Sequence, residues 1–398
     1  MKIAILSDFH LGYERFREDA YSQAEEALNR AADMADVIII PGDIFDNRAP
    51  KPDVIAEAIN LFRNLSAREW KFKVSGFVGQ GSAYTKVPII AIPGTHERRA
   101  QEAADPVDIL GLAGLVVDIS NATAIVEGDG ERIAVRGIGG IADDRFREVV
   151  ERENPTPIDN AFNIFMFHES LYELLPFNEE FMRIDELPRG FDLYVSGHIH
   201  NRVVMEAHGK KLLIPGSTVL TQLKEGEQER KGFFIFDTKT GTDEFINIRS
   251  RRFVLDKIDV GKIGDANLVD LVQERIDGFI KSGEGAPIVR IVLVGKAQSQ
   301  NNSEMEINDI PRRYAGKAIV EISKSMMSGD AVRAAVSSDA LVFERMSVRD
   351  YGIGIFLEKI KASGVDVGSL GPVELLDMLG TDGPKDKVIK SALDRLIG

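Results

Sequence analysis

The 398-residue chain is 44% hydrophobic and 28% charged, which excludes disorder and fibres and points to a soluble globular protein of roughly two to three domains. A formal charge of −14 argues against a generally basic, phosphate-coating surface, although local pairs such as Arg98–Arg99, Lys210–Lys211, Arg251–Arg252 and Arg312–Arg313 leave room for a patch. The absence of cysteine excludes disulfides, thiolate metal sites and cysteine nucleophiles, so any metal must be held by His, Asp, Glu or Asn.

Lys2 to Ser7 is a short apolar strand that breaks into Asp8-Phe9-His10, and the start MKIAILSDFHLG lacks the long apolar region and cleavage site of a signal peptide. No apolar stretch reaches membrane-spanning length, so a cytoplasmic protein with no membrane partner is expected. An Ala- and Glu-rich helix from about Tyr21 to Ala35 leads to a second strand, Val37 to Ile40, which ends in Gly42-Asp43. Strand, helix, strand favours parallel pairing. Pro52 opens a helix reaching Leu65, with Val54, Ile55, Ala58, Ile59 and Phe62 on one face.

Residues 66 to 87 read as irregular. Trp70 beside several Lys fits either a loop that touches nucleic acid or a surface hairpin. A third buried strand, Val87 to Ile92, ends in Gly94-Thr95-His96-Glu97, and 107 to 117 continues as a helix into a strand. Ala161 to Phe167 ends in His168, Asp192 to Ser196 ends in Gly197-His198-Ile199-His200, and Lys211 to Ile214 precedes Pro215-Gly216-Ser217-Thr218. A strand and Gly-containing turn follow at 231 to 241. From about Phe253 a smaller α+β unit is suggested by strands at 253, 287 to 294 and 317 to 323 and a helix near 265 to 281, with a polar, exposed stretch from Lys296 to Glu306. Amphipathic helices are expected at 348 to 361, from Pro372, and at 384 to 397.

Five of the six histidines stand at the ends of apolar runs, together with Asp8 and Asp43. If those strands share a sheet, the rule that ligands gather beyond strand carboxyl ends brings all seven side chains to one rim. Imidazole and carboxylate without thiolate suit Mn²⁺, Fe²⁺ or Zn²⁺. Four His and two Asp are about the number needed for two ions, an arrangement that neutralises a phosphodiester and acidifies a bound water. The sequence has neither a GxxxxGK[ST] phosphate loop nor a GxSxG nucleophile elbow.

In order and rough spacing, Asp8-x-His10, Gly42-Asp43, Gly94-Thr95-His96-Glu97, His168 and Gly197-His198-x-His200 resemble the calcineurin-like metallophosphoesterase superfamily. The opening SDFHLG, the segment GDIFDNRAP, and PGST followed by KEGEQERKGFFIFD resemble its double-strand-break repair branch, bacterial SbcD and the meiotic-recombination-eleven nucleases. The resemblance implies an α/β fold, a four-layered α/β/β/α sandwich over 1–250, with a small α+β capping domain at 251–330 and a helical, partner-binding tail at 331–398. It implies a DNA nuclease, exonucleolytic from 3′ to 5′ on duplex ends and endonucleolytic on single strands, paired as a homodimer through helices near 52–65 and 107–116 and held by an SMC-like coiled-coil ATPase of the SbcC type.

Carried over by position, Asp8, His10, Asp43 and His200 would hold one Mn²⁺. Asp43, His168 and His198 would hold a second, with Asp43 bridging, and His96 would stabilise the transition state or protonate the leaving oxygen. Thr95 stands where the family has an Asn ligand, so a weaker second ion is expected, and Asp46 stands where some relatives carry a His. Two other functions follow from the same residues: a phosphoesterase acting on small or protein phosphoesters, and a scaffold subunit in which Thr95 disables the second ion.

Overall fold

In the computed structural model the described residues are 1–79, 85–98, 104–175, 181–262, 268–283, 285–295 and 303–325. The helical tail expected from 331 onward lies outside them. Met1–Val332 forms one compact unit.

Two sheets face each other. The first has the order β13 (Thr242–Asn247), β12 (Gly232–Asp237), β1 (Lys2–Ile5), β2 (Val37–Pro41), β4 (Ile89–Ile92), β5 (Val117–Asp118). In it β1, β2, β4 and β5 are parallel, while β12 runs antiparallel to β1 with Ile3 opposite Phe236. The second sheet has the order β10 (Val203–Ala207), β11 (Lys210–Ile214), β9 (Leu193–Ser196), β8 (Phe162–Phe167), β7 (Glu131–Ile138), β6 (Ala122–Gly128), β3 (Lys73–Gly79).

The layering follows from two-residue alternation along strands that are apolar on both faces. Ile3, Ile5, Val37, Ile39, Ile90 and Ile92 turn inward and meet Ile164, Met166, Leu193, Val195 and Leu213 of the second sheet. Ala4, Ile38, Ile40, Ile89 and Ala91 turn outward onto α1 (Arg17–Met34), α2 (Pro52–Ser66) and α3 (Pro106–Leu112), which contribute Ala24, Leu28, Phe62, Leu65 and Leu110. On the opposite face Phe165, Phe167, Tyr194, Leu212 and Ile214 pack with Phe146, Val149 and Val150 of α4 (Asp143–Glu153). The result is the expected α/β/β/α sandwich.

A three-stranded parallel sheet, β14 (Phe253–Asp259), β15 (Ile288–Val294) and β16 (Ile319–Ser325), alternates with α5 (Leu268–Lys281) and α6 (Ser303–Arg313) around its own core of Ile258, Val272, Ile276, Ile291 and Ile310. Phe253 and Ile288 share a cluster with Phe16, Val219, Leu220 and Leu223, and Arg290 donates to the Leu223 carbonyl at 2.6 Å. The end of the stretch expected to be polar and exposed opens α6, where Glu306 is exposed; Ile307 and Ile310, beyond that stretch, are buried on one face of the helix.

The reading of 66–87 as irregular is corrected over 73–79, while 80–84 lie outside the described residues. Lys73–Gly79 is an edge strand antiparallel to β6, with a bulge between Val74 and Gly76. Two glycines and a serine among its seven residues, with only Val74 buried, hid the periodicity. Trp70 is not presented as a stacking platform: its indole N–H donates to the Leu65 carbonyl at 3.2 Å and its ring packs on the helical layer. Several basic residues noted in sequence are engaged by acids, Arg251 with Asp19, Lys211 with Asp243 and Arg313 with Asp309. Among the described residues no helix is long and apolar enough to cross a membrane.

Candidate metal centre

The strand-end residues do not come from one sheet. β1, β2 and β4 of the first sheet deliver Asp8 with His10, Asp43, and Thr95 with His96; β8 and β9 of the second deliver His168 and His198 with His200. The rim is therefore the shared carboxyl edge of two facing sheets, and the open switch-point argument is replaced by a seam between layers.

The chain turns sharply at each delivery point. Asp8, His10, Asp43 and His198 have φ of 54°, 48°, 53° and 73°, in the left-handed region that is costly for residues with a Cβ. Such strain persists only where the surroundings hold it, and here it aims polar side chains back into the seam. Close approach is enforced by glycine. A Cβ on Gly42 would lie 2.3 Å from His168 Nδ1, and one on Gly94 2.3 Å from Asp43 Oδ1.

Two trios result. Asp8, His10 and His200 offer ligand atoms within 4.8 Å of one another, as do Asp8, Asp43 and His168. In the first, His10 Nε2 and His200 Nε2 lie 3.2 Å apart and 3.9 and 3.7 Å from Asp8 Oδ1. In the second, His168 Nε2 lies 3.1 Å from Asp43 Oδ2. Among the described residues Asp8 Oδ2 is buried without a hydrogen-bond partner, and His168 Nε2 has only the Asp43 carboxylate facing it. Buried polar atoms without partners are costly, and a cation is a partner that carboxylates and imidazoles both accept.

His198 joins through its backbone N–H, which donates to Asp8 Oδ1 at 3.2 Å, and its ring meets that of His168 edge-on at 5.3 Å. Its Nδ1 is 3.0 Å from Thr95 Oγ1, so the hydroxyl in place of the family's amide is engaged by His198. The sixth histidine, His208, lies apart, against the Leu187 carbonyl at 2.8 Å.

Protein groups fix the ligand tautomers. His168 Nδ1 donates to the Pro41 carbonyl at 2.6 Å, which leaves Nε2 as the atom that could ligate. His96 Nδ1 donates to the Asp46 carbonyl at 2.9 Å, so its Nε2 is free, and its side chain is 45% exposed, open to a substrate. The Asp46 carboxylate faces His10 Nδ1 at 3.2 Å, and His10, Asp46 and His96 form a third close group. Sequence reading noted Asp46 only as a departure from relatives; its contact with both histidines had no local signal.

Glu97 was also missed as a working residue. Fully buried, it accepts the N–H groups of Asp43 at 3.1 Å, Gly94 at 2.8 Å and Phe45 at 2.8 Å, while the His96 N–H donates to Asp43 Oδ1 at 2.9 Å. One carboxylate thus ties the β2 and β4 turns together. Its place directly after His96 was the available clue.

The electrostatics divide the groups. Burial would raise the Asp43 pKa, but His168 beside it, helped by His10 and His96, holds it well below the usual carboxylate range. Burial would lower His168, but the Asp43 carboxylate overrides it and pushes the imidazolium up to about 10. Asp8 is raised by burial, with Asp43 adding to the effect. Burial would likewise lower His10, but the Asp46 contact and the carboxylates of Asp43 and Asp8 raise it. Burial, with His10 and Lys231 nearby, lowers His200 well below the ordinary histidine value, which keeps it neutral and ready to ligate. Glu97 is raised by burial and by Asp43.

Residues 1–202 match the family model described as calcineurin-like phosphoesterase. The chain is 29% identical over 310 residues to the double-strand break repair protein MRE11 of Encephalitozoon cuniculi, covering 71% of this chain and 53% of that protein. It is 28% identical over 324 residues to the DNA double-strand break repair protein Mre11 of Sulfurisphaera tokodaii, covering 78% and 77%. With the corresponding protein of Methanopyrus kandleri it shares 28% over 264 residues, 61% of this chain and 55% of the other. The match thus spans about half the length of two of these relatives and about three-quarters of the third. With strand-end histidines and aspartates gathered at one seam and the family's sequence pattern over half its length, the chain belongs to the calcineurin-like phosphoesterase family, and within it is similar to the double-strand break repair proteins.

Proposed function

We propose that the chain is a Mn²⁺-dependent DNA nuclease that processes double-strand breaks, exonucleolytic from 3′ to 5′ on duplex ends and endonucleolytic on single strands. The observation that carries this reading is the pair of trios sharing Asp8, with His96 exposed beside them. Asp8, His10, Asp43 and His200 would hold one ion, and Asp43, His168 and His198 the other, with Thr95 at its margin. Asp43 takes the bridging place by the family resemblance; in the geometry it stands with Asp8 and His168, and Asp8 is the residue common to both trios. The ions would neutralise the phosphodiester and acidify an attacking water.

The remaining work falls to the chain. The Pro41 and Asp46 carbonyls fix the tautomers of His168 and His96, and Glu97 holds the two turns that present Asp43 and His96. His96, with Nδ1–H held by the Asp46 carbonyl, would stabilise charge on the phosphate or hand a proton to the leaving oxygen from Nε2 in its doubly protonated form. By similarity to the repair proteins, the chain acts in the cytoplasm as a homodimer with an SMC-like coiled-coil ATPase of the SbcC type, 251–330 serving as a cap and 331–398 as the ATPase-binding tail.

The test is incubation of the purified full chain and Mn²⁺ with labelled duplex and single-stranded DNA, with and without that ATPase. Stepwise shortening of the duplex supports the proposal. Intact DNA alongside hydrolysis of an aryl phosphodiester would instead indicate a small-substrate phosphoesterase, and one tightly bound ion with no hydrolysis a scaffold.

A further inference from the structure

Two stretches singled out in sequence, Pro215-Gly216-Ser217-Thr218 and the charged run ending at Lys231, contribute no ligand to the centre proposed above. Both lie behind it. The Ser217 N–H donates to the His200 carbonyl at 3.1 Å and the Thr218 N–H to the Asp8 carbonyl at 3.3 Å, so one loop holds the backbones of two ligands. Gly216 makes this possible: its φ is +78°, and a Cβ there would lie 2.6 Å from the His200 carbonyl oxygen.

Lys231 reaches this junction from the start of β12. Only 7% exposed, it donates from Nζ to the His200 carbonyl at 3.2 Å, to Ser217 Oγ at 3.0 Å and to the carboxylate of Glu227. Glu227 is 2% exposed, and its second oxygen, which has no hydrogen-bond partner, lies 4.0 Å from His200 Nδ1. That same Nδ1 is in contact with Thr221 Oγ1, and the Thr221 carbonyl accepts the Tyr13 hydroxyl at 2.8 Å.

A buried Lys–Glu pair is a poor way to gain stability, because desolvation offsets the attraction and an apolar pair serves as well or better. An apolar pair could not donate to the His200 carbonyl, nor place a negative charge behind its imidazole. An Nδ1–H that donates to Thr221 leaves the lone pair on Nε2, the atom facing Asp8 and His10.

We propose that Thr221, Glu227 and Lys231 are positioning residues for His200. Thr221 selects the tautomer that ligates through Nε2, and the buried pair fixes the backbone and the field behind the ring. The proposal rests on the two-ion reading of the centre.

The experiment is a Mn²⁺ titration of the metal-free full chain by calorimetry, with thermal unfolding in chelator as a second readout, for wild type, Thr221→Val, Thr221→Ser and the double variant Glu227→Gln with Lys231→Met. Wild type is expected to bind two ions. Thr221→Val should unfold at the wild-type temperature yet lose about 10- to 100-fold in affinity at one ion only, and Thr221→Ser should regain it. The double variant, in which no buried charge is left unpaired, should show the same one-ion loss. Wild-type affinity in Thr221→Val, or equal weakening of both ions in both altered proteins, overturns the proposal. If wild type binds a single ion, the two-ion reading fails, and an unchanged affinity in Thr221→Val then overturns the positioning role as well. If wild type binds none, both fall.

Discussion

Metal binding at this centre should release a proton from His168, and the structure gives the direction and size of the effect. In the metal-free protein His168 Nδ1 donates to Pro41 and Nε2 faces the Asp43 carboxylate at 3.1 Å, which lifts the imidazolium to about 10. An ion that takes Nε2 as ligand must displace that proton. Below pH 10 each pH unit should therefore raise Mn²⁺ affinity by about tenfold through this residue alone. The stability of the metal-free protein carries the opposite sign. A histidine raised above 6.5 contributes fully below pH 6.5 and loses its contribution as pH rises through about 10, by at most about 5 kcal/mol. The melting temperature in chelator should fall from pH 6.5 to 9, while the Mn²⁺-loaded protein resists the change. Calorimetry in buffers of different ionisation enthalpy counts the protons directly. Binding with no proton release between pH 6.5 and 8.5, or His168→Gln titrating with the same slope as wild type, refutes the argument.

The carboxylates and the family departure give sharper variants. Asp43→Ala should abolish binding of both ions, whereas His168→Ala should chiefly weaken one, and equilibrium dialysis distinguishes two lost ions from one. Thr95→Asn should tighten the weaker ion and raise phosphodiesterase rate, because an amide oxygen is the better ligand; an unchanged ratio of the two binding constants would show that the Thr95 contact with His198 already suffices. Glu97→Ala removes the acceptor for three buried N–H groups, each costing about 1–3 kcal/mol when unpaired, so denaturant unfolding should show a loss of several kcal/mol. Glu97→Gln keeps an acceptor on one side and should lose less.

The elements that read cleanly from sequence were those whose both faces are buried. β1, β2, β4, β8 and β9 are continuous apolar runs with an abrupt polar stop, and each stop carries a residue of the centre. β3 did not read as a strand, because at the edge of its sheet only Val74 is buried and the alternation is broken by a bulge. The hairpin of β6 and β7 and the helix α4 likewise left no mark among the strand-end motifs, although they supply much of the second sheet and its cover.

What the sequence determined by itself was the chemistry: no thiol, six histidines, five of them at strand ends, and a spacing that a phosphoesterase family shares. That much is local, since an apolar run and its polar terminus are written in consecutive residues. Which sheet each strand joins is set by pairing over long separations, so only the tertiary structure could place the ligands at a seam between two sheets and give Asp8 a share in both trios. Only it could bring Glu97 under the Asp43 turn and seat Lys231 and Glu227 behind His200. Those residues act through backbone atoms and buried charge, and neither leaves a period or a motif in the chain.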